Sequence, residues 1–137
     1  MRFLAYHDVL TGLPNRRLLD DRLRQAIRLA QRRDRMVATL LVHLDEAGDA
    51  VLREAAQRLA GCVRKADTLA RVAADEFAVV VCDLKEEADA RIVADKLRQA
   101  LGAEFRASIG ISLYPADGGD GEALLRNADA ARIRVAR

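Results

Sequence analysis

The sequence predicts an α/β (α+β) fold: a palm-type, ferredoxin-like β-α-β-β-α-β core with additional helices at its N- and C-terminal ends. Three observations predict it. The run Met36 to Leu44 is almost continuously apolar, short and rich in branched residues, which suits a buried central strand. Two more apolar runs, Leu69 to Val72 and Phe77 to Cys82, are joined only by Ala73-Ala74-Asp75-Glu76, too short a link for anything but a hairpin. Around these strands apolar residues recur at helical spacing.

The elements follow in order. Leu10-Thr11-Gly12-Leu13-Pro14-Asn15 reads as a turn, and Pro14 suits a helix start. From Arg16 to Arg33 the stripe Leu19, Leu23, Ile27 and Ala30 marks an amphipathic helix whose other face is arginine and aspartate. After the central strand, Gly48-Asp49 opens a helix running to about Arg64, with Val51, Ala55, Leu59 and Cys62 inward. The hairpin comes next. A third amphipathic helix spans about Glu86 to Leu101, with Ala90, Val93, Leu97 and Ala100 inward. Phe105 to Leu113 alternates apolar and polar residues, the pattern of a half-buried strand. Asp117 to Gly121 is a loop, and Glu122 to Arg137 a last helix with Leu125, Ala128 and Ala131 inward.

Size and composition bound the function. The 137 residues fit one domain, 1–137, and 51% are hydrophobic, which argues against disorder. No apolar run approaches the roughly 20 residues of a membrane span, so no membrane contact is expected. No basic-then-apolar leader is visible, and the start at Met1 reads equally as a cut inside a longer protein. With 23 basic and 21 acidic residues the charge balance argues against a dedicated nucleic-acid binder. The arginines of Arg16 to Arg35 are interspersed with acids and read as a solvated face. Cys62 and Cys82 sit in apolar stretches, as buried free thiols of a cytoplasmic protein do.

Three features carry possible chemistry. Asp75-Glu76 places two acids at the hairpin tip, although acids are also ordinary solvated turn residues. His43 and Asp45 share one face of the central strand's end, where a palm-shaped nucleotide enzyme would hold Mg²⁺. Histidine is a poor Mg²⁺ ligand, and His43 reads equally as a hydrogen-bonded core residue. Arg64 and Asp67, three apart before the hairpin, present a guanidinium fork and a carboxylate suited to phosphate and guanine edges. That spacing also arises by chance in a chain with 32% charged residues.

Taken together these pieces resemble a known family. The run His7-Asp8-Val9-Leu10-Thr11-Gly12-Leu13-Pro14-Asn15-Arg16-Arg17 resembles the opening of GGDEF domains, the diguanylate cyclase family. The segment Arg71-Val72-Ala73-Ala74-Asp75-Glu76-Phe77 is similar to the family's signature hairpin with both glycines replaced by alanine. Ala107 to Ser112 resembles its last core strand, and Asn127-Ala128-Asp129-Ala130-Ala131 its final helix. The resemblance implies the condensation of two GTP into cyclic di-GMP, with Mg²⁺ and two domains meeting face to face. It also implies a sensor or phosphodiesterase domain elsewhere in the protein.

Position by position, the resemblance makes Asp75 a metal ligand and Glu76 the catalytic acid. It puts His43 in the place of a metal-binding aspartate, Asp45 at the second acid of the strand end and Asp49 at a guanine contact. Arg64 and Asp67 fall where the inhibitory product-binding Arg-x-x-Asp motif is expected, and Lys96 or Arg98 would add a phosphate contact. A Phe-Lys-x-x-Asn-Asp-x-x-Gly-His stretch is reduced here to Glu46 and Ala47, and Ala136 stands where a phosphate-binding lysine is usual. Alanines at the tip are expected to narrow the phosphate approach and to be strained if φ is positive. Each loss would cost two or more orders of magnitude, as roughly 10²–10³ for one oxyanion donor does. The expectation is a degenerate domain, catalytically inactive or nearly so, that regulates or binds cyclic di-GMP in preference to GTP and needs Mg²⁺ only if catalysis survives. The alternatives are an active cyclase and a partner-binding domain, such as a homodimerisation unit, that sees no nucleotide.

Overall fold

The computed structural model describes residues 3–134. The order of elements is α1 (Phe3–Tyr6), α2 (Arg16–Arg33), β1 (Met36–Leu44), α3 (Asp49–Ala60), β2 (Thr68–Ala73), β3 (Glu76–Leu84), α4 (Glu87–Leu101), β4 (Ala107–Tyr114), α5 (Gly121–Ala130) and β5 (Ile133–Arg134). The five strands form one sheet in the order β2-β3-β1-β4-β5, antiparallel at every neighbouring pair. The β-α-β-β-α-β core is therefore as expected.

β1 is mostly apolar, Thr39 and His43 apart, because both faces of the sheet are covered. Ala38, Leu40, Val42 and Leu44 share one core cluster with Leu52 and Leu59 of α3 and Ala94 and Leu97 of α4. Val37 and Leu41 point the other way, among Leu19, Leu23 and Ile27 of α2 and Leu124 and Leu125 of α5. The expected α2 stripe is buried in full. Its start is set by Asn15 rather than Pro14: the Asn15 side chain accepts from the Leu18 N–H at 3.1 Å.

Several expectations are corrected. The last helix ends at Ala130, and the chain turns into β5, which pairs with Ser108 and Ile109 at the free edge of β4. Unpaired backbone groups on that edge attract a strand that the alanine-rich sequence hides. Ala131 is exposed as a result, and Ala136 lies outside the described residues. In α3 the buried stripe is Leu52, Ala55, Ala56 and Leu59, whose i, i+3, i+4, i+7 spacing tracks one face, whereas Val51 is 42% exposed. In α4, Ala94 and Leu101 are buried where Val93 and Ala100 were expected.

β4 begins at Ala107 and is covered on both sides, not half-buried. Its polar positions are small because α5 lies against them. A Cβ on Gly110 would stand 1.8 Å from the Ala128 carbonyl oxygen, and the buried Ser112 hydroxyl donates to the Leu124 carbonyl at 2.6 Å. Cys62 and Cys82 are free and only half-buried.

Candidate functional site

β1, the β2–β3 hairpin and the start of β4 end together on one side of the sheet. His43 on β1 is in register with Glu76 on β3 and Ser108 on β4, so these side chains share the face turned toward α5. The ladder continues past the strand ends, where Leu44 N–H donates to the Asp75 carbonyl at 2.9 Å and Asp45 N–H to the Arg106 carbonyl at 2.8 Å. This register brings Asp75 and Asp45 to opposite edges of one imidazole. His43 Nε2 lies 2.9 Å from Asp75 Oδ2, and Nδ1 lies 3.2 Å from Asp45 Oδ1. Glu76 is half-buried; burial, with Asp129 at the end of α5 adding to it, pushes its carboxyl above the usual glutamate range.

These residues do not fit a divalent ion. Mg²⁺ takes hard oxygens at about 2.0–2.1 Å in near-octahedral array. Here a ring separates the two carboxylates, and both of its nitrogens are turned to them. Among the described residues no group of three or more His, Cys, Asp and Glu side chains is placed to hold a metal.

The hairpin tip is ordinary in backbone terms. Neither Ala73, Ala74 nor Asp75 has positive φ, so the expected alanine strain is absent; a bulge between Arg71 and Ala73 adjusts the turn instead. Phe77 behind the tip is fully buried. Arg71 secures the tip from the side. Its guanidinium donates to the Ala74 carbonyl at 2.7 Å and to Asp8 Oδ1 at 3.0 Å, while its N–H donates to the Pro14 carbonyl at 3.0 Å. Asp8 Oδ2 in turn accepts from the Thr11 N–H at 2.9 Å and hydroxyl at 2.7 Å. Burial would raise the Asp8 carboxyl, but the Thr11 bonds and Arg71 outweigh it and hold the group below the usual range. A cleft of about 480 Å³ opens between this turn and the tip, lined by Asp8, Asn15, Arg17, Arg71, Ala73 and Ala74.

The Asp8–Arg71 pair spans 63 positions and was missed by the sequence reading. The available signals were Asp8 and Thr11 at Asx-turn spacing and an arginine just before the tip.

Arg64 and Asp67 lie at the other end of β3, near Cys82, roughly 20 Å along the strand from the tip at about 3.3 Å per residue. Asp67 is only 3% exposed. It accepts from Arg64 Nε at 3.0 Å, Arg64 NH2 at 3.1 Å and Cys82 N–H at 3.1 Å. Arg64 is 61% exposed, and its NH2 also donates to the Cys82 carbonyl at 2.9 Å. Among the described residues this guanidinium is held through its Nε and NH2 atoms.

Asp49 is the first residue of α3 and is exposed. The short link before it, with Glu46 at φ 52°, leaves beside Asp45 a cavity of about 210 Å³ that Asp49 does not line. This is below the roughly 300–1,000 Å³ of small-molecule pockets. Arg98 pairs with Asp95 on its own helix at 2.9 Å, and the Lys96 carbonyl accepts from the Cys62 thiol. Asn127 donates to the Asp117 carbonyl.

Residues 5–136 match the family model described as "Diguanylate cyclase, GGDEF domain". The chain belongs to the GGDEF family. It is 45% identical over 148 aligned residues to the bifunctional diguanylate cyclase/cyclic di-GMP phosphodiesterase MucR of Pseudomonas aeruginosa, covering 93% of this chain and 22% of that protein. The fold matches the crystal structure of a sensory box/GGDEF family protein from Caulobacter crescentus with TM-score 0.87 and 37% identity, over 92% of this GGDEF chain and 94% of that one. A microbial GGDEF domain solved with cyclic di-GMP is similar at TM-score 0.81 and 27% identity, over 94% of this chain and 88% of that one. The chain thus spans less than a quarter of MucR. Among its described residues no helix is long and apolar enough to cross a membrane.

Proposed function

We propose that this GGDEF domain is a degenerate member serving cyclic di-GMP signalling without making the nucleotide, and that it binds cyclic di-GMP as a regulatory module. The observation that carries the reading is the contrast between the two ends of β3. At the tip end His43 ties up both strand-end and tip carboxylates, the cavity beside Asp45 is small and the glycines are gone. At the other end Asp67 is buried and holds an exposed Arg64 in place, a fork suited to a phosphate or a guanine O6/N7 edge. Binding there would use Arg64 as the contact and Asp67 as the group that fixes its fork.

On this reading the unit 1–137 is the GGDEF portion of a longer cytoplasmic protein whose sensor or phosphodiesterase domain takes the signal. That MucR combines both activities by name agrees with such an arrangement. Isothermal titration with cyclic di-GMP tests it: binding is expected for wild type and is expected to fall at least tenfold in Arg64→Ala. No binding, or binding indifferent to Arg64, removes the receptor reading. Cyclic di-GMP formed from GTP with Mg²⁺ or Mn²⁺ would instead establish an active cyclase.

A further inference from the structure

We infer that His43 takes over the structural place of the metal: its imidazole bridges Asp45 to Asp75, assembles the acidic end of the sheet by itself and keeps a divalent ion out. This deepens the reading of the tip end as catalytically silent and does not depend on ligand binding at Arg64.

The geometry carries the inference. The two ring nitrogens point from opposite edges of the imidazole, with carboxylate oxygens at 2.9 and 3.2 Å. Oxygens bonded in this way lie roughly 6–8 Å apart across the ring. An ion that bound both directly would need them within about 4.2 Å, twice a Mg²⁺–O distance of about 2.1 Å. To close that gap the ring must leave, yet it is in register between β3 and β4, only 24% exposed and flanked by Glu76 on the neighbouring strand. Both ring nitrogens are already engaged by carboxylate oxygens, so neither is left to face an approaching ion.

An aspartate at position 43 would reverse each of these features. It is shorter, offers hard oxygen and removes the ring from between Asp45 and Asp75, so the same backbone would present three oxygen-bearing side chains. The chain's metal exclusion therefore resides in one side chain rather than in the hairpin alanines.

Mn²⁺ uptake tests this without any turnover. The six-line electron paramagnetic resonance signal of free Mn²⁺ is expected to be unchanged by excess wild-type protein, and at least halved by His43→Asp. In parallel, Mn²⁺ at a hundredfold excess over its Kd is expected to raise the Tm of His43→Asp by about 5–10 °C and leave wild type unmoved. Stoichiometric uptake by wild type that Asp75→Asn abolishes would overturn the inference, as would a folded His43→Asp that gains no uptake. Should His43→Asp fail to fold, the wild-type and Asp75→Asn titrations still decide. A cyclic di-GMP titration addresses Arg64 separately, so failure of either reading is recognisable by itself.

Discussion

Replacing Asp8 by alanine should loosen the hairpin tip from a distance. Asp8 accepts four charge-assisted bonds, two from Thr11 and two shared from one Arg71 nitrogen, and its side chain is 19% exposed against 15% for Arg71. Bonds to charged groups contribute about 1.5–3 kcal/mol each in mutational series, but the Thr11 donors sit in a loop that water can reach. The net loss is then about 2–4 kcal/mol, between an exposed pair and a fully buried one. For a chain of this size that is a fall in Tm of roughly 6–12 °C. A cycle with Arg71→Ala should give a coupling of about 1–2 kcal/mol, since the Arg71 contact to Ala74 survives in Asp8→Ala.

The pH dependence has a definite sign. Asp8 is held below its usual value in the folded chain, so its contribution is complete above the unfolded aspartate value of about 3.9. It is lost as pH falls through the lower folded value. The gap in Tm between wild type and Asp8→Ala should be constant from about pH 5 to 8 and shrink below about pH 4. Circular dichroism melts measure all of this. A Tm within about 2 °C of wild type, a coupling near zero or a gap that persists in acid would refute the reasoning.

Two further perturbations probe the packing of α5 and the tip. Gly110→Ala places a methyl group 1.8 Å from the Ala128 carbonyl, a backbone atom that cannot step aside, and should cost about 3 kcal/mol or more in denaturant titration. Glu76→Gln should raise the Tm slightly at neutral pH, by about 1–3 °C, because ionising Glu76 where it is half-buried, with Asp129 close by, opposes folding. That gain should vanish in melts as pH drops toward the ordinary glutamate value of about 4.3, where the carboxyl is protonated in the folded state.

Local pattern made much of the molecule legible. The β1 run, the α2 stripe and the four-residue tip encode periodicity and chain reversal within a few residues, and those features survive any tertiary context. The opening run and the altered signature pointed to the family, because such motifs are read within a few consecutive residues. Val51 and Ala131 misled because a stripe drawn at steps of four drifts off a 3.6-residue face, and because helix ends are decided by what the chain meets next.

What the sequence by itself determined is the inventory: the β-α-β-β-α-β order of the core, the family, and a glycine-free tip carrying two acids. The tertiary structure decided what those acids touch. The register of β1 against β3 sets His43 beside the tip, 32 positions away, so a ring stands between Asp45 and Asp75. A chain reversal brings Asp8 under Arg71, and the bare edge of β4 captures β5. Such contacts join segments far apart in the chain and depend on pairing and packing, which no local period records.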